Sequence, residues 1–291
     1  MPGKQWRGMA SARRRTCRAR VRSDGDPAAA GRPDTRPRGL FMSDVMSFGK
    51  GGYRFVRGVF QYSAGVAAEP GFEIERARFR RPVPVAEGFA EIQARLHALR
   101  RPVTALCACE LRSPAPLSEA GFEAFNREYV GPLERWNIFR GGVNPVARTN
   151  VCPDVDPPSV PSFWAFSYTV PASARPAGSF VIAGTAEASE GGGSYREHAI
   201  RRGDQSLAGL REKARWVLGE MERRMRALGF GWTDATGTHV YTVHDVHPFL
   251  KDEIALRGAM RSGLTWHLAR PPVSELDYEM DVLGIAREVV L

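Results

Sequence analysis

From position 53 onward the apolar residues fall into short runs. Some alternate with polar residues and others recur every three to four positions, the pattern of a chain that mixes strands with helices. Residues 53–68 and 72–81 read as strands. Phe89, Ile92, Leu96 and Leu99 share one face of a helix predicted over 85–99. An apolar strand follows over 103–111, and Phe122, Phe125 and Tyr129 mark a second helix over 117–136. A Gly-Gly turn, a segment over 146–152, a Pro-rich loop and a strand over 163–170 complete this half.

A stretch over 171–178, with Pro171 and Pro176, separates it from a second half in similar order. There the pattern predicts a strand over 179–187, a glycine-rich loop over 191–193 and a long helix over 205–228. Val217, Leu218, Met221, Met225 and Leu228 form the apolar face of that helix, and Gly229 is its stop signal. A strand over 236–243, a helix over 248–260 and strands over 263–267 and 276–283 finish the chain. The expected fold is α+β: two tandem domains, 50–172 and 178–287, each a mixed β-sheet with two helices packed on one face.

Charge changes this picture only at the N-terminus. The chain carries a net +9, yet residues 1–41 hold 11 Lys/Arg against 3 Asp/Glu, leaving 30 basic and 29 acidic groups elsewhere. A nearly neutral body gives no reason to expect a nucleic-acid partner. Residues 1–45 read as a disordered basic extension. A nucleic-acid-binding arm and a targeting peptide are the other readings of it; Arg13, Arg14 and Arg15 have no apolar stretch after them. The reading adopted is an upstream start, with the protein proper beginning at Met42 or Met46. No run of 18 apolar residues occurs, so no membrane span is expected. Cys17, Cys107, Cys109 and Cys152 form no Cys-x-x-Cys pair, which points to reduced thiols and a cytoplasmic protein. Alternation puts Cys107 and Cys109 on one face.

Several chemistries lose support. Gly191-Gly192-Gly193 lacks the Lys-Ser/Thr of a phosphate loop, and no Gly-x-Ser-x-Gly elbow occurs. His239, His244 and His247 stand near Asp245, at intervals unlike paired zinc ligands. No metal is expected, and capping of the helix at Pro248 is the plainer role for His244 or Asp245. Arg148 lies between prolines, and a guanidinium there could grip a carboxylate with two parallel hydrogen bonds. Asp277, Glu279 and Asp281 share one strand face by alternation. Three carboxylates cannot all be buried and charged, so a solvated acidic face competes with a catalytic Glu279.

These residues carry a resemblance. Phe122-x-x-Phe125-Asn126-x-x-Tyr129, Ala147-Arg148-Thr149 and Tyr62-Ser63-Ala64-Gly65 are similar, in order, to motifs of the RidA/YjgF family. Leu218 to Gly229, followed by Trp232, Asp234 and the strand to Tyr241, resembles the family's long helix and next strand. The resemblance covers most of the chain and implies chorismate-mutase-like domains that hydrolyse imines and enamines without a cofactor. It implies that Arg148 binds a substrate carboxylate, that Asn150, Tyr62 and Ser63 line the pocket, and that the protein is a homo-oligomer, a trimer with sites between subunits. The chain departs from the family where an acid should follow the arginine in the first half: Phe163 stands there. In the second half Glu279 supplies the acid as candidate proton shuttle. Its arginine counterpart is Arg261, with Arg270 as the alternative, and Arg261 would hold a second substrate carboxylate. The halves are therefore unequal: one site has degenerated, or composite sites draw on both. The tandem arrangement is similar to the 2-amino-5-chloromuconate deaminase group. The expected function is deamination of a small unsaturated acid of the 2-aminomuconate type. The rivals are a chorismatase-like release of pyruvate from chorismate and ligand binding without turnover.

Overall fold

The fold is seen in a computed structural model that describes residues 45–172, 178–190 and 193–291. The extension before Val45, most of the proline-containing stretch and part of the glycine-rich loop lie outside the described residues. In chain order the strands are β1 (Val45–Phe48), β2 (Tyr53–Val56), β3 (Gly65–Ala68), β4 (Phe72–Pro84), β5 (Leu106–Arg112), β6 (Ala147–Pro153), β7 (Ser162–Pro171) and β8 (Phe180–Ala186). They continue with β9 (Gly237–Tyr241), β10 (Thr265–His267), β11 (Ala269–Arg270), β12 (Glu279–Gly284) and β13 (Arg287–Val290). The helices are α1 (Val85–Ala98), α2 (Glu119–Arg135), α3 (Tyr195–His198), α4 (Leu207–Ala227) and α5 (His247–Phe249).

The fold is α+β, built on two mixed sheets. One runs β1-β2-β3-β8-β12-β9-β10 and the other β11-β6-β5-β7-β4-β13. Burial alternates as the strand period demands. On β8, Phe180 and Ile182 pack under α4, while Val181 and Ala183 pack on the opposite face. That opposite face meets Cys107, Ala108 and Ala147 of the second sheet. The second sheet's other face buries Phe89, Ile92 and Leu96 of α1 and Tyr129 and Leu133 of α2. The layers therefore run helix, sheet, sheet, helix.

The two longest helices, α2 and α4, start where a side chain can satisfy a free amide group. Ser118 accepts from the Gly121 amide at α2, and Ser206 from the Gly209 amide at α4. Gly229, at φ 86°, stops the chain after α4.

Four local expectations change. The strand expected over 53–68 is broken into β2 and β3 by a loop that carries Tyr62. The helix expected over 248–260 shrinks to α5 and a π-helical turn, Leu250–Ala255. Bulges in the β5–β7 pairing break the alternation, so Cys107 faces the other sheet while Cys109 packs toward the helices. The halves also exchange strands. β3 pairs with β8, Val66 opposite Val181, and β13 pairs in parallel with β4. Both halves belong to one compact unit, Leu40–Leu291. Among the described residues no helix is long and apolar enough to cross a membrane.

Candidate active site

The sheets leave a narrow cleft where β6, β8 and β12 come together under α2 and α3. It encloses about 400 Å³ of non-protein space, mouth included, and a water molecule's centre can move through only about 30 Å³ of it. Tyr62, Arg148, Asn150 and Glu279 all reach it. Arg148 and Asn150 come from the first half and Glu279 from the second, so the cleft is composite.

Arg148 is 2 % exposed. Its Nη1 donates to Asn126 Oδ1 at 2.7 Å, and among the described residues no carboxylate pairs with it. Phe122, Phe125, Asn126 and Tyr129 lie at i, i+3, i+4 and i+7 of α2, which turns them all to one face of the helix. Tyr129, Phe122 and Phe125 surround the guanidinium with ring centroids 4.8, 5.5 and 5.8 Å away, and Tyr62 closes the cage at 4.9 Å. Aromatic faces stabilise a desolvated cation, yet they accept no hydrogen bond in the guanidinium plane. Arg148 Nε is buried without a partner, and so is Asn150 Nδ2. Asn150 Oδ1 is occupied by the Ser113 hydroxyl at 3.0 Å, which fixes the amide's orientation. Both unpartnered donors belong to residues that line the cleft.

Glu279 is 4 % exposed and has no hydrogen-bond or ion-pair partner among the described residues. Burial, then the Asp281 and Glu190 carboxylates, push its carboxyl well above the usual range, against the pull of Arg148. Gly184 makes the space: a Cβ there would overlap Glu279 Oε1 and lie 3.0 Å from Thr149 Cγ2. Burial, followed by Glu279, also pushes the Cys152 thiol up to about 12.

The acidic face is buried, not solvated. Asp277 pairs with fully buried Lys213 and with His244 Nε2 at 3.1 Å. Asp281 takes hydrogen bonds from Thr149 Oγ1 at 2.7 Å and Tyr241 Oη at 2.9 Å, with His239 Nδ1 2.7 Å away. Burial would raise Asp281, but His239 and these bonds hold it down at about 2. Asp277 and Asp281 thus have compensating partners that hold their carboxyls low, while Glu279 has none and is pushed well above the usual carboxylate range. His247 lies with Asp245, 2.7 Å from its Oδ1, so the three histidines near this region each meet a different carboxylate.

Two expected site residues are elsewhere. Ser63 is fully buried and its hydroxyl is spent on the Pro145 carbonyl at 3.0 Å, where the backbone of residue 63 bridges Ala147. Arg261 is exposed on the turn after the π-helix and does not line the cleft. Arg270, the alternative, pairs with Asp154 at 3.2 Å on the surface. Residues not anticipated take their place. Glu190, just after β8, lines the cleft, and Tyr62 Oη donates to it at 3.2 Å. Arg224 of α4 holds the other Glu190 oxygen at 3.2 Å. Tyr195 of α3 lines the cleft too, its hydroxyl pushed up to about 12 by burial and by Glu190. The glycine run after Glu190 was the only available hint of it.

A cleft with two unpartnered donors and a carboxyl pushed well above the usual range has groups that can seat a small carboxylate and exchange protons with it. That is the equipment of an enzyme acting on small organic acids. Comparison with known proteins makes the class specific. Residues 45–289 match the family model described as 2-aminomuconate deaminase CnbZ, and the chain belongs to that family. It is 53 % identical over 253 residues to the 2-amino-5-chloromuconate deaminase of Comamonas testosteroni, covering 86 % of this chain and all of that one. Among solved structures it is similar to a chorismatase, with a TM-score of 0.45, 13 % identity and 79 % of each chain covered. E. coli TdcF with bound serine gives a TM-score of 0.28 and 16 % identity over 37 % of this chain and 80 % of the other.

Proposed function

We propose that the protein is a cofactor-independent deaminase that hydrolyses the enamine or imine of a small unsaturated carboxylic acid and releases ammonia. The substrate is of the 2-aminomuconate or 2-amino-5-chloromuconate type. Family membership and the 53 % identity support the reaction. The observation that ties it to this cleft is Arg148: a buried guanidinium, caged by four rings, unpaired with any described carboxylate and with Nε open.

Arg148 and the Asn150 amide hold the substrate carboxylate next to the reacting carbon. The enamine tautomerises to the imine, water adds to the C=N carbon, and ammonia departs. Glu279, whose carboxyl is pushed well above the usual range by burial and neighbouring acids, donates a proton in one step and recovers it in another. The apolar walls keep those protons from bulk water. Arg261 is exposed and does not line the cleft, so this reading gives it no part in holding the substrate there.

The wider reading includes two fused RidA-like layers that have exchanged strands, a homo-oligomer (a trimer on the family pattern), and a cytoplasmic location consistent with the buried free thiols of Cys107, Cys109 and Cys152. Light scattering on the eluting protein tests the trimer.

The direct test is ammonia release from enzymatically generated 2-aminomuconate, with no added metal or cofactor and with spontaneous decay subtracted. Release well above that background is expected, together with no pyruvate from chorismate. Ammonia at the background rate would contradict the assignment.

A further inference from the structure

We propose that Glu190 is a second catalytic carboxylate of this cleft, the base that takes a proton from the attacking water while Glu279 serves the nitrogen. The proposal deepens the deaminase reading and rests on it.

Glu190 and Glu279 line the same cleft from opposite settings. Glu279 has no donor, whereas Glu190 has two. Tyr62 Oη donates to one oxygen at 3.2 Å and Arg224 lies 3.2 Å from the other. Arg224 is 2 % exposed and is itself held by the Ala64 carbonyl at 3.4 Å and by Glu220 at 3.7 Å. A cation and a hydroxyl donor fixed in this way supply a counter-charge and hold both Glu190 oxygens in place at the cleft wall. The chain before it is anchored as well, with Ile200 N donating to Glu187 O at 2.7 Å and residue 188 bridging residue 199. Paired carboxyl groups in opposed environments are how one site holds an acid and a base at a single pH.

The balance of protons closes. Water loses a proton to Glu190 and its oxygen bonds to the imine carbon. The C=N π pair moves to nitrogen, which takes the Glu279 proton, giving a carbinolamine. Glu190 then returns its proton to that nitrogen, the C–N bond breaks and ammonia leaves. The carbinolamine hydroxyl proton goes to Glu279 as the carbonyl forms. Both carboxyls end as they began, and the net change is imine plus water to ketone plus ammonia.

The groups that meet Glu190 are Tyr62 from the β2–β3 loop, Arg224 from α4, Tyr195 from α3 and Glu279 from β12; Arg148 of β6 lines the same cleft, and Glu220 reaches only as far as Arg224. Glu190→Gln keeps the shape and removes the base. The test measures kcat and kcat/KM for ammonia release against pH, and the binding of trans,trans-muconate, a dicarboxylate with no amino group. A fall in kcat of about a hundredfold is expected, with loss of the acid limb of the kcat/KM profile and muconate affinity within about threefold. A retained acid limb with near-normal kcat would overturn the proposal, and so would a loss of muconate affinity as large as the loss of kcat. Should the glutamine variant fail to fold, Glu190→Asp carries the test: the acid limb stays and kcat drops, whereas an unchanged kcat overturns it. Ammonia from the wild type and equally from Glu190→Gln sinks this proposal alone. No ammonia from the wild type sinks the deaminase reading and the proposal with it.

Discussion

Two arginines of the same sheet are buried to nearly the same depth and have opposite surroundings. Arg76 on β4, 5 % exposed, is bidentate to Glu110 with both contacts at 2.6 Å and also meets Glu288. Arg148 on β6 has one neutral amide, four aromatic rings and an open nitrogen. Desolvating a guanidinium is costly wherever it happens. At Arg76 the chain supplies the counter-charge itself, and the cation holds β4, β5 and β13 together. At Arg148 no described residue supplies it, and in the proposed reaction the substrate's carboxylate does. Burial of a charge therefore does not distinguish scaffold from site; what does is whether the counter-charge comes from the protein.

The largest effect is expected at Arg76. Arg76→Met leaves Glu110 buried without its cation, and the loss of stability should be about 3–5 kcal/mol. Denaturant unfolding would show it as a lower midpoint, while the enzyme that remains folded turns over near the wild-type rate. A midpoint equal to wild type would mean that this pair contributes nothing to the scaffold.

A smaller effect sharpens the other side. Gly184→Ala puts a methyl group into the space of the Glu279 carboxyl and 3.1 Å from the Thr149 Cα, which cannot move aside as a flexible side chain could. Displacing the proton donor should lower kcat about tenfold to a hundredfold while the muconate affinity set by Arg148 changes little. An unchanged kcat would show that the position of Glu279 does not matter.

The smallest effect is a pH dependence. The folded Glu279 carboxyl titrates well above its unfolded value near 4.5, so the folded chain binds the extra proton between the two. Its contribution to stability is complete below pH 4.5 and is lost as pH rises through that window. Glu279→Gln has no such loss. The Tm of the variant minus that of the wild type should therefore grow from pH 4.5 to pH 8. A difference that stays flat or shrinks would mean that Glu279 is ionised in the fold.

Helical spacing located α1, α2 and α4 to within two residues, because each buries one continuous apolar face. The order of short motifs brought Tyr62, Arg148, Asn150 and Glu279 into view from positions far apart in the chain. The exchange of strands was not legible: alternation tells which face of β3 is buried, not that β8 lies beside it. Arg261 is the second-half counterpart of Arg148 by position, yet the cleft takes its arginine from the first half and Glu279 from the second. Glu190 has no partner at a diagnostic spacing, since Tyr62 and Arg224 reach it from 128 residues before and 34 after. Arg224 is one of several arginines on α4, and only the packing shows that it alone turns inward to Glu190.

The most direct measurement compares ammonia release from 2-aminomuconate by the wild type and by Arg148→Ala, each checked for folding by its melting transition. The open guanidinium is the carboxylate clamp in this account, so kcat/KM should fall about a thousandfold while the Tm stays close to that of the wild type. Equal kcat/KM from the two proteins would contradict the account and place the reaction away from this cleft.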